Sequence, residues 1–251
     1  DHFGSYKKLV KAFETVINNV KNKCILNTDD KELLNLIRPG DISYSSTENS
    51  TYEVKYPNYF SHEGKEYTIN TKLIGNHFIS NITGAIALAK KNGISIEQSL
   101  NSIEHFVGVK RRTEFIGKFN GVNFYDDYGH HPTEIKATTK ALKENTVGNL
   151  IVIFQPHRFT RTRDHFDDLK NSFNYSDLTL ITDIYSAGEK PIPGISSLLF
   201  EGEGIKYIKS PRLVPHYVKT SINPGDTVLT IGAGDITLLG PQILKYLNEN
   251  K

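Results

Sequence analysis

The strongest constraint on the fold lies in the second half of the chain, where short apolar runs alternate with helical segments. The runs "GVNFYDD", "NLIVIFQPH", "DLTLITDIY", "GIKYIK" and "DTVLTIGAGD" read as strands. The intervening "PTEIKATTKALKEN", "TRDHFDDLKNSF", "GISSLLFEG" and "PRLVPHYVKTSI", and the closing "DITLLGPQILKYLNEN", read as mostly helical, with Pro132 suited to a first turn. Apolar strands alternating with helices predict an α/β fold around a mainly parallel, doubly wound sheet. Such sheets bind ligands at the carboxyl ends of their strands, at a topological switch point. The polar clusters fall at those ends: "DDYGHH", "QPHRFTRTR", "DIYSAGE" and "GAGD".

The first half is organised differently. "YKKLVKAFETVINNV" puts Leu9, Val10, Phe13, Val16 and Ile17 on one helical face, and "KCILNTDD" reads as a short buried strand. Weak alternation in "YEVKYPNYF" and "EYTINTKLIG" predicts antiparallel strands turning at His62–Lys65. "NHFISNITGAIALAKKNG" is a helix stopped at Gly93, and "SIEQSLNSIEHF" another, opened by Ser95 with Gln98 in a capping box. The boundary predicted from these patterns divides the chain into domains of residues 1–110 and 111–251.

Charge and composition exclude some classes. Thirty basic residues against 28 acidic leave a net charge of only +2, which argues against a nucleic-acid partner. No apolar run approaches the roughly 18–20 residues of a membrane span. The single cysteine, Cys24, cannot form an intrachain disulfide, which fits a reducing, cytoplasmic compartment. The chain opens on "DHFGSY" without an initiator Met, so it is expected to be part of a longer protein.

The clusters have their own chemistry. Arg158, Arg161 and Arg163 follow a buried strand, and guanidinium groups in that position suit a carboxylate or phosphate. "DDYGHHPTE" is compatible with metal binding, general-base work or nucleotide contacts. Adjacent histidines on a strand point opposite ways, which disfavours His130 and His131 as ligands of one metal. In "IGAGD", Gly232 and Gly234 allow close backbone approach to an anion, but the phosphate loop G-x-x-x-x-G-K-[ST] is absent.

Taken in order, "GVKRRTEF", "DDYGHHPTEI", "FQPHRFTRTR", "DIYSAGEKPIPG" and "GAGDI" resemble the Mur ligases over essentially the whole chain. The resemblance implies part of an ATP-binding central domain, then a Rossmann-like, doubly wound C-terminal domain. It implies an ATP-dependent amide-bond ligase of peptidoglycan precursor synthesis, with ATP and Mg2+ as cofactors. The motifs after the second and third strands imply UDP-N-acetylmuramate and L-alanine as substrates. The lactyl carboxylate is phosphorylated, and the amine of alanine attacks the acyl phosphate.

The same resemblance implies roles for single residues. Arg112 would approach the ATP phosphates, and Asp127 the ribose and phosphates. Tyr128 and His130 would line the meeting point of the muramoyl substrate and alanine, while Arg158 and Arg161 would hold the alanyl carboxylate. His2 resembles the histidine at the second Mg2+. His77 and Asn81 match part of an adenine-binding pattern that reads "GNHFISN" here, with Phe78 where asparagine is usual. His131 is left with a structural role. Without the phosphate loop, this chain alone is expected to lack ligase activity. The alternatives are a relative that adds a peptide, which the arginine pair argues against, and a non-catalytic scaffold.

Overall fold

The computed structural model describes residues 3–250 and divides the chain into two compact units, 1–107 and 108–251. In the first unit, α1 (Tyr6–Asn19), β1 (Ile25–Asn27), α2 (Lys31–Leu36) and β2 (Ile42–Ser45) precede a meander of β3 (Tyr52–Lys55), β4 (Tyr59–His62) and β5 (Lys65–Thr68). Helices α3 (Asn76–Lys91) and α4 (Ile96–His105) follow. The five strands form one sheet in chain order, parallel from β1 to β3 and antiparallel from β3 to β5. Tyr52, Val54 and Phe60 pack against Ile79, Ile82, Ile86 and Ala87 of α3 and Ile96 of α4. The expected capping box is present: Ser95 Oγ accepts from Gln98 N at 3.1 Å, and Gln98 Oε1 from Ser95 N at 3.0 Å.

Helix α1 is present where the spacing predicts it, with its apolar face only partly covered. Of the apolar face predicted on α1, only Ile17 is buried, while Phe13 and Val16 are 51% and 63% exposed. Helix α1 packs against the six-residue α2, too short to cover a stripe of that length. The C-terminal end of α1 is instead tied by Arg38, whose Nη1 donates to the carbonyl of Ile17 at 2.6 Å and whose Nε donates to Asp41 at 3.0 Å. The strand β2 and helix α2 were not legible in the sequence.

The second unit contains β6 (Glu114–Phe119), β7 (Val122–Asp127), α5 (Pro132–Glu144), β8 (Leu150–Phe154), α6 (Phe159–Asp164) and α7 (Phe166–Asn171). It continues with β9 (Leu178–Ile181), β10 (Ile205–Tyr207), α8 (Val214–Ser221), β11 (Thr227–Ile231) and α9 (Leu239–Glu249). The strand order is β10-β9-β8-β11-β7-β6, with β6 antiparallel to β7 and the rest parallel. The expected doubly wound sheet is therefore present. Every residue of β8 and β11 is buried, as central parallel strands require. Ile151, Ile153 and Val228 meet α8 and α9 through Val214, Val218, Ile243 and Leu247. Helix α5 packs on β8 and α7, and Phe154 meets Phe173 at 5.1 Å.

This topology creates the site. The chain leaves β7 through α5 and skips one strand position to β8. It builds outward to β10, then returns through α8 to place β11 in the gap. The carboxyl ends of β9, β8, β11 and β7 are therefore four neighbours, and they carry the four polar clusters. Three segments differ from expectation. "TRDHFDDLKNSF" is two helices broken at His165, which takes φ −124° and ψ 26°. The helical part of "GISSLLFEG" is one 3-10 turn, Ser197–Phe200. The start of "DITLLGPQILKYLNEN" is likewise a 3-10 turn, Asp235–Leu238, before α9.

Candidate active site at the strand ends

The turn after β7 is built on buried carboxylates. Asp126 accepts from Thr230 Oγ1 at 2.6 Å and Thr237 Oγ1 at 2.7 Å, tying β7 to β11 and the turn beyond it. Asp127 accepts from the amides of Thr113 and Gly129, both at 2.7 Å, and from Thr113 Oγ1 at 3.2 Å. Burial raises the pKa of both groups, and these hydrogen bonds oppose the rise. The family resemblance implies a place for Asp127 beside a nucleotide. The structure buries its carboxylate among internal donors, where it ties the backbone at Gly129 to that at Thr113.

Arg111, which the sequence leaves without a role, bolts this turn to the one after β11. Its Nη2 donates to the carbonyls of Gly232 at 2.6 Å and Gly234 at 3.2 Å, and its Nε lies 3.5 Å from Asp126. Its guanidinium sits 4.9 Å over the Tyr128 ring, and that of Arg112 sits 5.8 Å over the same ring. Arg112 is half exposed and lies 3.6 Å from Glu134.

His131 is the N-cap of α5. Its Nδ1 accepts from Thr133 N at 3.4 Å, while the Glu134 carboxylate accepts from the amides of His130 at 3.1 Å and His131 at 3.2 Å. Burial pushes the Glu134 carboxyl up, but those amides, with His130 and Arg112, bring it below its ordinary value. His130 Nδ1 lies 3.1 Å from the carbonyl of Tyr128. A carbonyl can only accept, so in the neutral ring Nδ1 carries the proton and Nε2 is a free acceptor.

The turn after β8 carries the arginine pair. Arg158 takes φ 71° and ψ 139°, a conformation that costs a residue with a side chain about 1–3 kcal/mol. It is held there by its amide, which donates to Tyr185 O at 2.8 Å, and by Thr162 N, which donates to Arg158 O at 3.1 Å. Glu189, in the turn after β9, accepts from Thr160 N at 3.1 Å and Thr160 Oγ1 at 2.6 Å, closing the first turn of α6. Those bonds from Thr160 hold Glu189 below its ordinary pKa. Arg161 Nη1 donates to His157 Nδ1 at 3.0 Å. Burial, then the charge of Arg158, lowers the pKa of Arg161. Burial, then Arg161 and His130, pushes His157 down to about 4. The rings form a chain: Tyr128 to His130 at 5.2 Å, His130 to His157 at 5.7 Å, His157 to Tyr185 at 5.6 Å.

The turn after β11 backs this chain. A Cβ on Gly234 would lie 2.6 Å from the Tyr185 ring, so the glycine lets Tyr185 close over the turn. The assembled groups bring the charges of Arg158 and Arg161 within reach of one another, beside an imidazole, His130, whose Nε2 can accept a proton. Of these residues, only Glu134 has a local signal that could mark it, its position three residues after the N-cap His131. Arg111, His157, Tyr185 and Glu189 stood inside quoted motifs without any mark of their partners.

The residues expected at adenine lie in the first unit. His77 and Asn81 are one turn apart on α3, and the His77 and Phe78 rings are 4.3 Å apart. Asn81 lines an open pocket of about 690 Å³ with Tyr44, Leu88, Lys23 and Lys91. His2 lies outside the described residues. Among the described residues no three or more His, Cys, Asp or Glu side chains are grouped to hold a metal ion. Nor, among them, is any helix long and apolar enough to cross a membrane.

Comparison with known proteins adds the family context. The Mur ligase middle domain matches residues 1–89, and the domain described as "Mur ligase, glutamate ligase domain" matches residues 111–234. The UDP-N-acetylmuramate–L-alanine ligase of Desulforamulus reducens is 32% identical over 99% of this chain and 59% of its own length. That of Mesorhizobium japonicum is 36% identical over 94% of this chain and 57% of its own. The chain thus spans less than two thirds of these curated relatives. The crystal structure of UDP-N-acetylmuramate-alanine ligase from Thermotoga maritima superposes with a TM-score of 0.79 at 22% identity, over 100% of this chain and 57% of that one. The MurF ligase of Thermotoga maritima in complex with ADP gives 0.78 at 16% identity, over 100% of this chain and 60% of that one.

Proposed function

This chain belongs to the Mur ligase family, and on that premise we propose that it serves an ATP-dependent ligase joining L-alanine to UDP-N-acetylmuramate. The observation that carries the reading is the arginine pair on the turn after β8, braced by His157, Tyr185 and Glu189 beside His130. Two adjacent guanidinium groups suit the free carboxylate of an amino acid. A donor joined through a peptide would place its carboxylate further from its amine. The curated relatives cited above carry the name of the alanine ligation.

In this reading Arg158 and Arg161 hold the carboxylate of L-alanine, and Tyr128 lines the space between the substrates. His130 Nε2 takes a proton from the ammonium group, leaving the amine nucleophilic. The amine attacks the lactyl carboxylate after ATP has phosphorylated it; the new C–N bond forms as phosphate leaves with the C–O bonding pair. Arg112 turns its half-exposed guanidinium to the ATP phosphates, and Asp127 supports that site by fixing Thr113 and Gly129. His77 and Asn81 take the adenine. Mg2+, when bound, would screen the phosphates. His2 is the ligand this chain would offer, and without a grouped ligand set among the described residues no step is assigned to the metal. The single cysteine is in keeping with a cytoplasmic enzyme.

The test is donor choice. The full-length protein carrying these residues is assayed for phosphate release from ATP with UDP-N-acetylmuramate and, in turn, L-alanine, D-glutamate and a dipeptide. The reading expects release with L-alanine above both others. Release with the dipeptide but not with L-alanine would assign the chain to a peptide-adding relative, and release independent of any donor would refute ligation.

A further inference from the structure

Arg161 is held by a partner that no motif marks. Its Nη1 donates to His157 Nδ1 at 3.0 Å and reaches the His157 carbonyl at 3.4 Å, so the side chain folds back over its own first turn. A guanidinium has no lone pair to offer, so His157 Nδ1 must be the acceptor and the ring proton must sit on Nε2. The ring itself is clamped. It stacks on Tyr185 at 5.6 Å with planes 14° apart, and His130 lies 5.7 Å away. Tyr185 is fixed in turn by its amide, which donates to Pro156 O at 2.8 Å, and by its carbonyl, which accepts from Arg158 N at 2.8 Å.

The choice of an imidazole has a physical consequence. A free arginine loses side-chain entropy when it captures a ligand, and one already held in place loses less. A carboxylate partner would hold Arg161 as well, but it would cancel the charge that an anionic ligand needs. An unprotonated imidazole supplies the acceptor without bringing a negative charge to offset that of Arg161. We infer that His157 is a positioning residue, accepting the Arg161 hydrogen bond so that Arg161 is aimed at the carboxylate of the incoming amino acid. The inference rests on the proposed reading of the arginine pair.

The test uses the full-length protein with His157→Phe, His157→Gln, Arg161→Ala and the His157→Phe/Arg161→Ala pair. Phenylalanine keeps a ring to stack on Tyr185 and removes the acceptor. Glutamine gives up the stack and supplies an acceptor. Loss of a hydrogen bond to a charged group predicts a rise in KM for L-alanine of roughly tenfold or more in His157→Phe, with KM for ATP changed less than about twofold. His157→Gln should recover part of that loss, and His157→Phe should add little in the Arg161→Ala background. An unchanged KM for L-alanine in His157→Phe would overturn the inference. So would an equal rise in KM for every substrate, or additive effects in the pair. A wild-type protein with no L-alanine-dependent turnover would instead overturn the functional reading beneath it.

Discussion

Gly234 offers a sharp test of how the strand-end turns are packed. Its φ of −86° is open to any residue, so the constraint there is space. A Cβ would stand 2.3 Å from Gln155 Oε1, 2.6 Å from Tyr185 Cγ and 2.9 Å from Tyr185 Cβ. Gln155 is buried and cannot retreat without loss, because its Oε1 accepts from Ile236 N at 3.2 Å and its Nε2 donates to Asp235 at 2.7 Å. Overpacking costs about 1–3 kcal/mol, and a buried amide left unpaired costs a similar amount. Gly234→Ala is therefore expected to destabilise the second unit by about 3 kcal/mol. The control is Gly202→Ala, where the nearest atoms to a Cβ are 3.8 and 3.9 Å away, and the expected change is within about 0.5 kcal/mol. Urea unfolding followed by far-UV circular dichroism measures both. A Gly234→Ala midpoint equal to that of Gly202→Ala would refute the packing argument.

Two further outcomes follow from the same geometry. Glu134→Ala removes the acceptor for the His130 and His131 amides and should cost about 1–2 kcal/mol in urea unfolding, while Glu134→Gln keeps an acceptor there and should cost less than about 1 kcal/mol. Equal losses would show that charge beside Arg112, not capping, is what Glu134 supplies. In the first unit, the hydrogen bond from Arg38, with the amides of Cys24 and Arg38, holds Asp41 down to about 2 from an ordinary 3.8. A depressed carboxyl stabilises the fold above its unfolded pKa and loses that contribution as pH falls through its folded value, so about 2 kcal/mol should disappear between pH 4 and pH 2. Asp41→Asn should lack that acid-dependent loss when unfolding is followed across the same range. A variant with the wild-type slope would contradict the assignment.

How much of this was legible depended on range. The doubly wound sheet showed in the apolar runs because strands such as Leu150–Phe154 and Thr227–Ile231 are buried along their whole length. The capping boxes at Ser95 and at His131 to Glu134 were local, and the Ser95 box was read from spacing alone. Strand β6 was missed because it is an edge strand of mostly half-buried residues, with a register shift between Phe115 and Gly117. The placement of β11 between β7 and β8 could not be read either, since strand order is set by long-range packing rather than by spacing. The partners of Arg111, more than 120 residues away in Gly232 and Gly234, follow from that placement. The amphipathic helix α1 was legible, but its cover was not, because periodicity shows that a face is apolar, not that something covers it.

The central claim is that Arg158 and Arg161 read the carboxylate of an amino acid. The direct measurement compares kcat/KM for L-alanine with that for L-alaninamide, which keeps the amine and methyl but carries no charge at the other end. The full-length wild type and the Arg158→Ala/Arg161→Ala variant are measured side by side. The account predicts that the wild type prefers L-alanine by about a hundredfold or more, the cost of leaving a buried charge unpaired, and that the variant loses most of this preference. A wild type that uses L-alaninamide as well as L-alanine would contradict it.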